Sequence, residues 1–185
     1  MTAETSPTEI TGRLPLHSQE AVEAGQYLVF TLGGEVFAID ILGIREIIGY
    51  GEPTGVPMMP EAIRGVINLR GAVVPVVDLS ARFGRGRTTV GRRTCIVILE
   101  LDGQAAEAGF QTLGIVVDGV NEVLEIHADQ IEPPPGFGTR LRTDFIAGMG
   151  RREGGFVIIL DLLRVLCPDE LARLADGIGG AAVPA

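Results

Sequence analysis

The sequence predicts a mainly β protein: two tandem five-stranded β-barrels packed through a shared hydrophobic core, with a short C-terminal helix. Three observations lead there. The apolar residues fall in short runs rich in Val, Ile and Leu, bounded by Gly, Pro or Asp, which is a strand pattern rather than a helix pattern. The order of those runs occurs twice along the chain. Several runs, such as VVPVV and FVIIL, are apolar on both faces, so each strand needs cover on two sides.

The repetition sets the domain plan. QYLVFTLGG from Gln26 matches CIVILELDG from Cys95 at an offset of 69. FAIDILGIREII from Phe37 matches LGIVVDGVNEVL from Leu113 at an offset of 76, and Pro57 meets Pro133. Beyond the proline-rich loops the offset is 83, pairing Ile63, Gly65 and Val66 with Ile146, Gly148 and Met149, and Asp78 with Asp161. The length changes fall in Gly- and Pro-rich stretches, where loops tolerate insertion.

Residues 1–25, rich in Ser, Thr, Pro and Glu, read as a flexible tail. The first copy, 26–83, gives strands near 26–32, 35–41, 43–49, 64–69 and 72–78. Gly33–Gly34 marks a hairpin turn, because glycine accepts positive φ. An arginine-rich linker, 84–93, follows. The second copy, 94–163, gives strands near 94–101, 112–118, 119–126, 144–150 and 155–161. Five short strands are most stable curled into a barrel, since closure removes exposed edges, and the second barrel is the natural cover for the first. Exchange of strands between the barrels is an open alternative. From residue 164 the pattern turns helical, with Pro168 in the first turn and a disordered tail to 185.

Composition narrows the function. The chain has 185 residues, with 15 basic against 24 acidic and a formal net charge of −9. All the basic residues are arginine, so there is no P-loop, kinase-type or Schiff-base lysine. An acidic chain without Trp is a poor nucleic-acid binder. Cys95 and Cys167 stand far apart and, with His17 and His127, show no metal-ligand spacing, so the thiols read as reduced and no metal or other cofactor is expected. No signal-peptide pattern or span of about 20 apolar residues is present, so a cytoplasmic protein without membrane insertion is expected.

Asp40, Asp78, Asp118 and Asp161 each close an apolar run. An enzyme, or a small ligand-sensing barrel, would gather them in one pocket; the simpler reading is turn capping. No GxSxG, HExxH or complete GxGxxG motif is present, so no catalytic residue is expected and a binding module is favoured. Two features stand out: Arg70 in the Asn68–Gly71 turn, and the arginine set Arg82, Arg85, Arg87, Arg92 and Arg93, which could meet an acidic partner surface.

In this order and spacing, QYLVFTLGGEVFAIDILGIREIIGY, IRGVINLRGAVVPVVDL, LGIVVDGVNEVL and FVIILDLLRVL resemble the CheW family of chemotaxis coupling proteins, over about residues 26 to 170. The resemblance implies SH3-like barrels and a scaffold without catalysis. It implies an adaptor that bridges membrane chemoreceptors to the histidine kinase CheA at receptor arrays, where other CheW-like molecules can join it in rings. The implied receptor- and kinase-binding positions are Ile44, Glu46, Gly65, Arg70, Leu113 and Gly114. A receptor's helical tip would lie in a groove between barrels, with Ile44 and Leu113 as its walls. The same coupling role in surface motility or development is the nearest alternative. The AAEAGFQ stretch, the proline loop at 133–135 and the arginine linker depart from the family pattern.

Overall fold

The computed structural model describes residues 24–101, 112–134 and 141–166. The expected N-terminal tail up to residue 23, the AAEAGFQ insertion, Cys167 and the helix and tail after Leu166 lie outside the described residues.

Among the described residues there are eleven strands: β1 Ala24–Leu32, β2 Glu35–Asp40, β3 Ile44–Gly49, β4 Ile63–Leu69, β5 Ala72–Asp78, β6 Cys95–Glu100, β7 Thr112–Val117, β8 Gly119–His127, β9 Ile131–Glu132, β10 Ile146–Arg152 and β11 Gly155–Leu160. Two single-turn helices, α1 Leu79–Arg82 and α2 Leu162–Val165, follow β5 and β11. Asp78 and Asp161 cap them as the sequence suggests, accepting from the backbone N–H groups of Ser80 and Arg164 at 3.0 and 3.2 Å.

The ten expected strands all form, but the two sequence copies are not the two spatial units. One sheet runs β8-β1-β2-β11-β10-β9 and the other β3-β6-β7-β5-β4. Each barrel takes its first two strands from one copy and the rest from the other, so 26–83 and 94–163 exchange strands. The physical reason lies in the connectors. Only Asp118 separates β7 from β8, and a hairpin needs about two residues to reverse the chain. β8 therefore runs on into the other sheet. Asp118 fastens the crossing, donating its N–H to the Thr31 carbonyl at 3.0 Å and accepting from the Gly33 N–H at 2.7 Å.

The exchange is reciprocal, which gives the molecule an internal two-fold likeness. The parallel pair β2–β11 sets Ala38 against Ile159, and β5–β7 sets Gly114 against Val76. The same offsets, 76 and 83, carry Ala38 onto Gly114 and Val76 onto Ile159, so one pair maps onto the other. Both sheets close on themselves. In the first, the edge strands β8 and β9 are joined by one 3₁₀ turn, Ala128–Gln130. In the second, Thr54, beyond β3, pairs with Val66 of β4 through hydrogen bonds of 2.8 and 2.9 Å.

Strand alternation then assigns every apolar residue a place. Leu28, Phe30, Leu32, Phe37 and Ile39 of the first sheet face Val97, Leu99, Leu113, Ile115 and Val117 of the second in one shared core. Their neighbours point the other way. Val29, Ala38, Val157 and Ile159 fill the first barrel, and Val76, Ile96, Ile98 and Val116 the second. This is why runs such as CIVIL are apolar on both faces.

Gly65 sits at the bulge in β4, where the barrel closes. Its φ is +143°, and a Cβ there would lie 2.1 Å from the Thr54 carbonyl oxygen. That conformation is essentially glycine-only. Gly65→Ala is expected to open the Thr54–Val66 closure and cost about 2–3 kcal/mol, read as a lower urea midpoint. An unchanged midpoint would show that the closure tolerates a side chain.

Candidate functional site

The site is built on the edge strand β3 and the β4–β5 hairpin of the second barrel. Leu69 pairs with Ala72 across a two-residue turn whose central residues, Arg70 and Gly71, have φ of +54° and +89°. Positive φ at both positions is the type I′ pattern that matches strand twist. Asn68 locks the turn, its Oδ1 accepting from the Gly71 N–H at 2.9 Å. The turn leans over β3 and aims Arg70 at Glu46. Nη1 donates to Oε2 at 2.6 Å and Nη2 to Oε1 at 2.9 Å, a two-pronged contact. Arg70 is 67% exposed and Glu46 24%. Hydrogen bonds from Arg70 hold the Glu46 carboxyl below its ordinary range. The pair therefore persists at neutral pH and loosens only under acid, as pH falls through that lowered value.

Energetics separate this pair from ordinary surface charge. A non-glycine residue in left-handed backbone costs about 1–2 kcal/mol, while a solvent-screened ion pair adds little net stability. The fold gains little by having arginine here.

Of the six implied binding positions, the structure brings Glu46 and Arg70 together, with half-buried Ile44 two residues before Glu46 on β3. The other three are internal. Leu113 is fully buried in the shared core and cannot wall an open groove with Ile44. Its counterpart at the 76 offset is Phe37, while that of Ile44 is Val120. Gly114 faces the second barrel's interior, where a Cβ would come within 2.8 Å of Ile96. Gly65 is buried at the closure. In this structure all three are buried, at the barrel closure, in the shared core and in the second barrel's interior.

The arginine set also divides. Arg82 belongs to α1 rather than a linker; it donates to the Val165 carbonyl at 2.7 Å and lies over the Phe145 ring. Arg85 pairs with Glu35 at 2.7 Å. Arg87, Arg92 and Arg93 are exposed.

Two features escape a reading of the sequence. The first is a buried ion pair. Arg64 Nε donates to Asp78 at 3.0 Å with both side chains buried, while other Arg64 nitrogens reach the Tyr50 hydroxyl and the Thr88 carbonyl. The second is a set of matched exposed apolar residues. Ile47 and Val73 lie on one barrel, and Val123 and Phe156, their counterparts at offsets 76 and 83, on the other. Strand parity could have found the second set, because each of the four alternates with an inward neighbour.

The four strand-end aspartates do not share a pocket. Asp40 caps a 3₁₀ turn, Asp78 and Asp161 cap α1 and α2, and Asp118 holds the crossing. Among the described residues no three His, Cys, Asp or Glu converge as a metal site, and no helix is long and apolar enough to cross a membrane.

Two fused, closed barrels with a rigid charged hairpin and paired apolar faces define a binding scaffold. Comparison with known proteins makes the class specific. The CheW-like domain family matches residues 26–168. The chain is 37% identical over 153 residues to the chemotaxis protein CheW of Klebsiella aerogenes, covering 83% of this chain and 87% of that one. It is 33% identical to the chemotaxis protein CheW of Bacillus subtilis, covering 75% and 85%. The crystal structure of the scaffolding protein TtCheW from Thermoanaerobacter tengcongensis superposes with a TM-score of 0.66 at 36% identity, covering 76% of this chain and 86% of that one. The chain belongs to the CheW family and is a chemotaxis scaffold, not an enzyme.

Proposed function

We propose that this protein couples the cytoplasmic tip of a chemoreceptor to the regulatory domain of a CheA-type histidine kinase, within receptor arrays on the cytoplasmic side of the membrane. The observation that carries the reading is Arg70: a charged, exposed side chain held at φ +54° on a locked hairpin, with its fork on Glu46. Ile44, Ile47 and Val73 supply apolar surface on the same barrel, and the charged pair sets register and partner choice more than affinity.

The two-fold likeness supports a bridging role. Each barrel offers an exposed apolar pair at equivalent positions, yet their rims differ: Arg70 on one corresponds to Glu153 on the other. Faces that are alike but not identical favour heterologous contacts, which build rings or arrays with kinase domains or further CheW-like molecules.

Arg70→Asn keeps a residue suited to a type I′ turn and removes the charge. It is expected to leave stability within about 0.5 kcal/mol and to lower receptor-controlled kinase activity in reconstituted arrays at least tenfold; Arg70→Glu, facing Glu46, does the same. Normal control in a folded Arg70→Asn protein would refute the assignment.

A further inference from the structure

The loop joining the two copies carries four arginines, at 85, 87, 92 and 93, and no carboxylate between residues 84 and 93, in a chain of net charge −9. We infer that this loop is a preformed recognition site for a short acidic segment of a protein partner, separate from the Glu46–Arg70 site.

The loop is not a loose tether. Thr88 and Thr94 are both buried, and each anchors one end of an arch. The Thr88 N–H and hydroxyl donate to Asp78 at 2.8 and 2.9 Å, and the Thr88 carbonyl accepts from Arg64. At the other end the Gly91 N–H donates to Thr94 Oγ1 at 2.7 Å. Before the arch, the Arg85 N–H donates to the Ser80 carbonyl at 2.9 Å. The backbone is fixed by a buried ion pair that the coupling site does not use.

What the arch presents is specific. Arg93 lies over Gly119 and donates to the Val120 carbonyl at 3.4 Å, placing it beside the crossing between barrels. Arg85 is neutralised by Glu35. Arg87 and Arg92 project with no ion pair among the described residues, and Val90, between them in sequence, is 48% exposed. A cleft of about 360 Å³ lined by Gly33, Glu35, Phe83, Gly84 and Arg85 opens at the start of the loop. Two free guanidinium forks around an exposed apolar residue fit carboxylates flanking an aliphatic side chain. Because the ordering is already in place, binding loses little conformational entropy.

The chain's overall charge selects among anionic partners. An extended polyanion, such as a nucleic acid or an anionic bilayer, meets the whole −9 surface and is repelled. A short segment meets only the local field, since charges beyond about 8–10 Å are screened at physiological salt.

The test uses the full chain and a labelled peptide of alternating Glu and Leu, followed by fluorescence anisotropy. Binding is expected at low salt and is expected to weaken as salt rises. Arg87→Gln/Arg92→Gln is expected to weaken it roughly tenfold, equal to about 1.4 kcal/mol, and Arg92→Gln alone, at an exposed position, gives a smaller loss in the same direction. Arg70→Asn is expected to leave peptide binding unchanged, so failure here and failure of the coupling assignment are separable. No binding of the peptide, equal binding by the folded Arg92→Gln and double variants, or tighter binding of phosphatidylglycerol vesicles or an oligonucleotide than of the peptide would overturn the inference.

Discussion

Asp78→Ala is expected to lower stability by about 3–5 kcal/mol, a large fraction of the roughly 5–15 kcal/mol that holds a domain folded. Five donors converge on this buried carboxylate: the N–H groups of Ser80, Ala81 and Thr88, the Thr88 hydroxyl, and Arg64 Nε. Removing it leaves the Arg64 guanidinium buried without a counter-charge. Asp78→Asn fares little better, because an amide nitrogen would face donors. Removing both charges, in Arg64→Met/Asp78→Asn, is expected to cost less than Asp78→Ala alone. The two-fold likeness supplies a control. Asp161 occupies the equivalent place, but the counterpart of Arg64 is Ala147. Asp161→Ala is therefore expected to lose only a helix cap, about 1 kcal/mol. Urea unfolding measures all four. Equal losses at Asp78 and Asp161 would refute a special role for the ion pair.

Phe37→Ala is expected to cost about 3–5 kcal/mol while keeping a single unfolding transition. Phe37 is fully buried in β2 of the first sheet, stacked on Phe30 with ring centroids 6.0 Å apart. It meets Phe83, which follows α1 at the end of the second sheet's β5, at 5.8 Å, and Phe83 meets Phe145 at 5.7 Å. This line of rings joins Phe83, beside the second sheet's β5, to rings on both sides that belong to the first sheet's strands or precede them, so a hole at Phe37 weakens both barrels together. Calorimetry showing two transitions, in the parent or the variant, would mean that the barrels unfold separately and that the shared core does not couple them.

The fold was legible in the sequence to the level of single strands. All ten expected strands are found, with boundaries within two residues of their read positions; among the described residues only the two-residue β9 went unread. The strand exchange was legible too, in hindsight: runs 112–118 and 119–126 abut with no turn residues between them. The site was half legible. Arg70 and Glu46 could be named from the family pattern, but their contact depends on a hairpin leaning over an edge strand 24 positions away in sequence. The burial of Leu113 and Gly114 was not legible, because a motif position does not state which face of a strand it occupies.

The sequence by itself determined the strands, the turn at Arg70–Gly71, the duplication and the absence of lysine chemistry. These are local properties, carried by period-two alternation, glycine placement and composition. The tertiary structure alone decided which strands pair, which face of each run is shared core and which is barrel interior, and that Arg64 and Asp78 are buried together. Those outcomes depend on contacts between residues far apart in the chain, where the free energy of burial is settled by the partner and not by the residue's own neighbours.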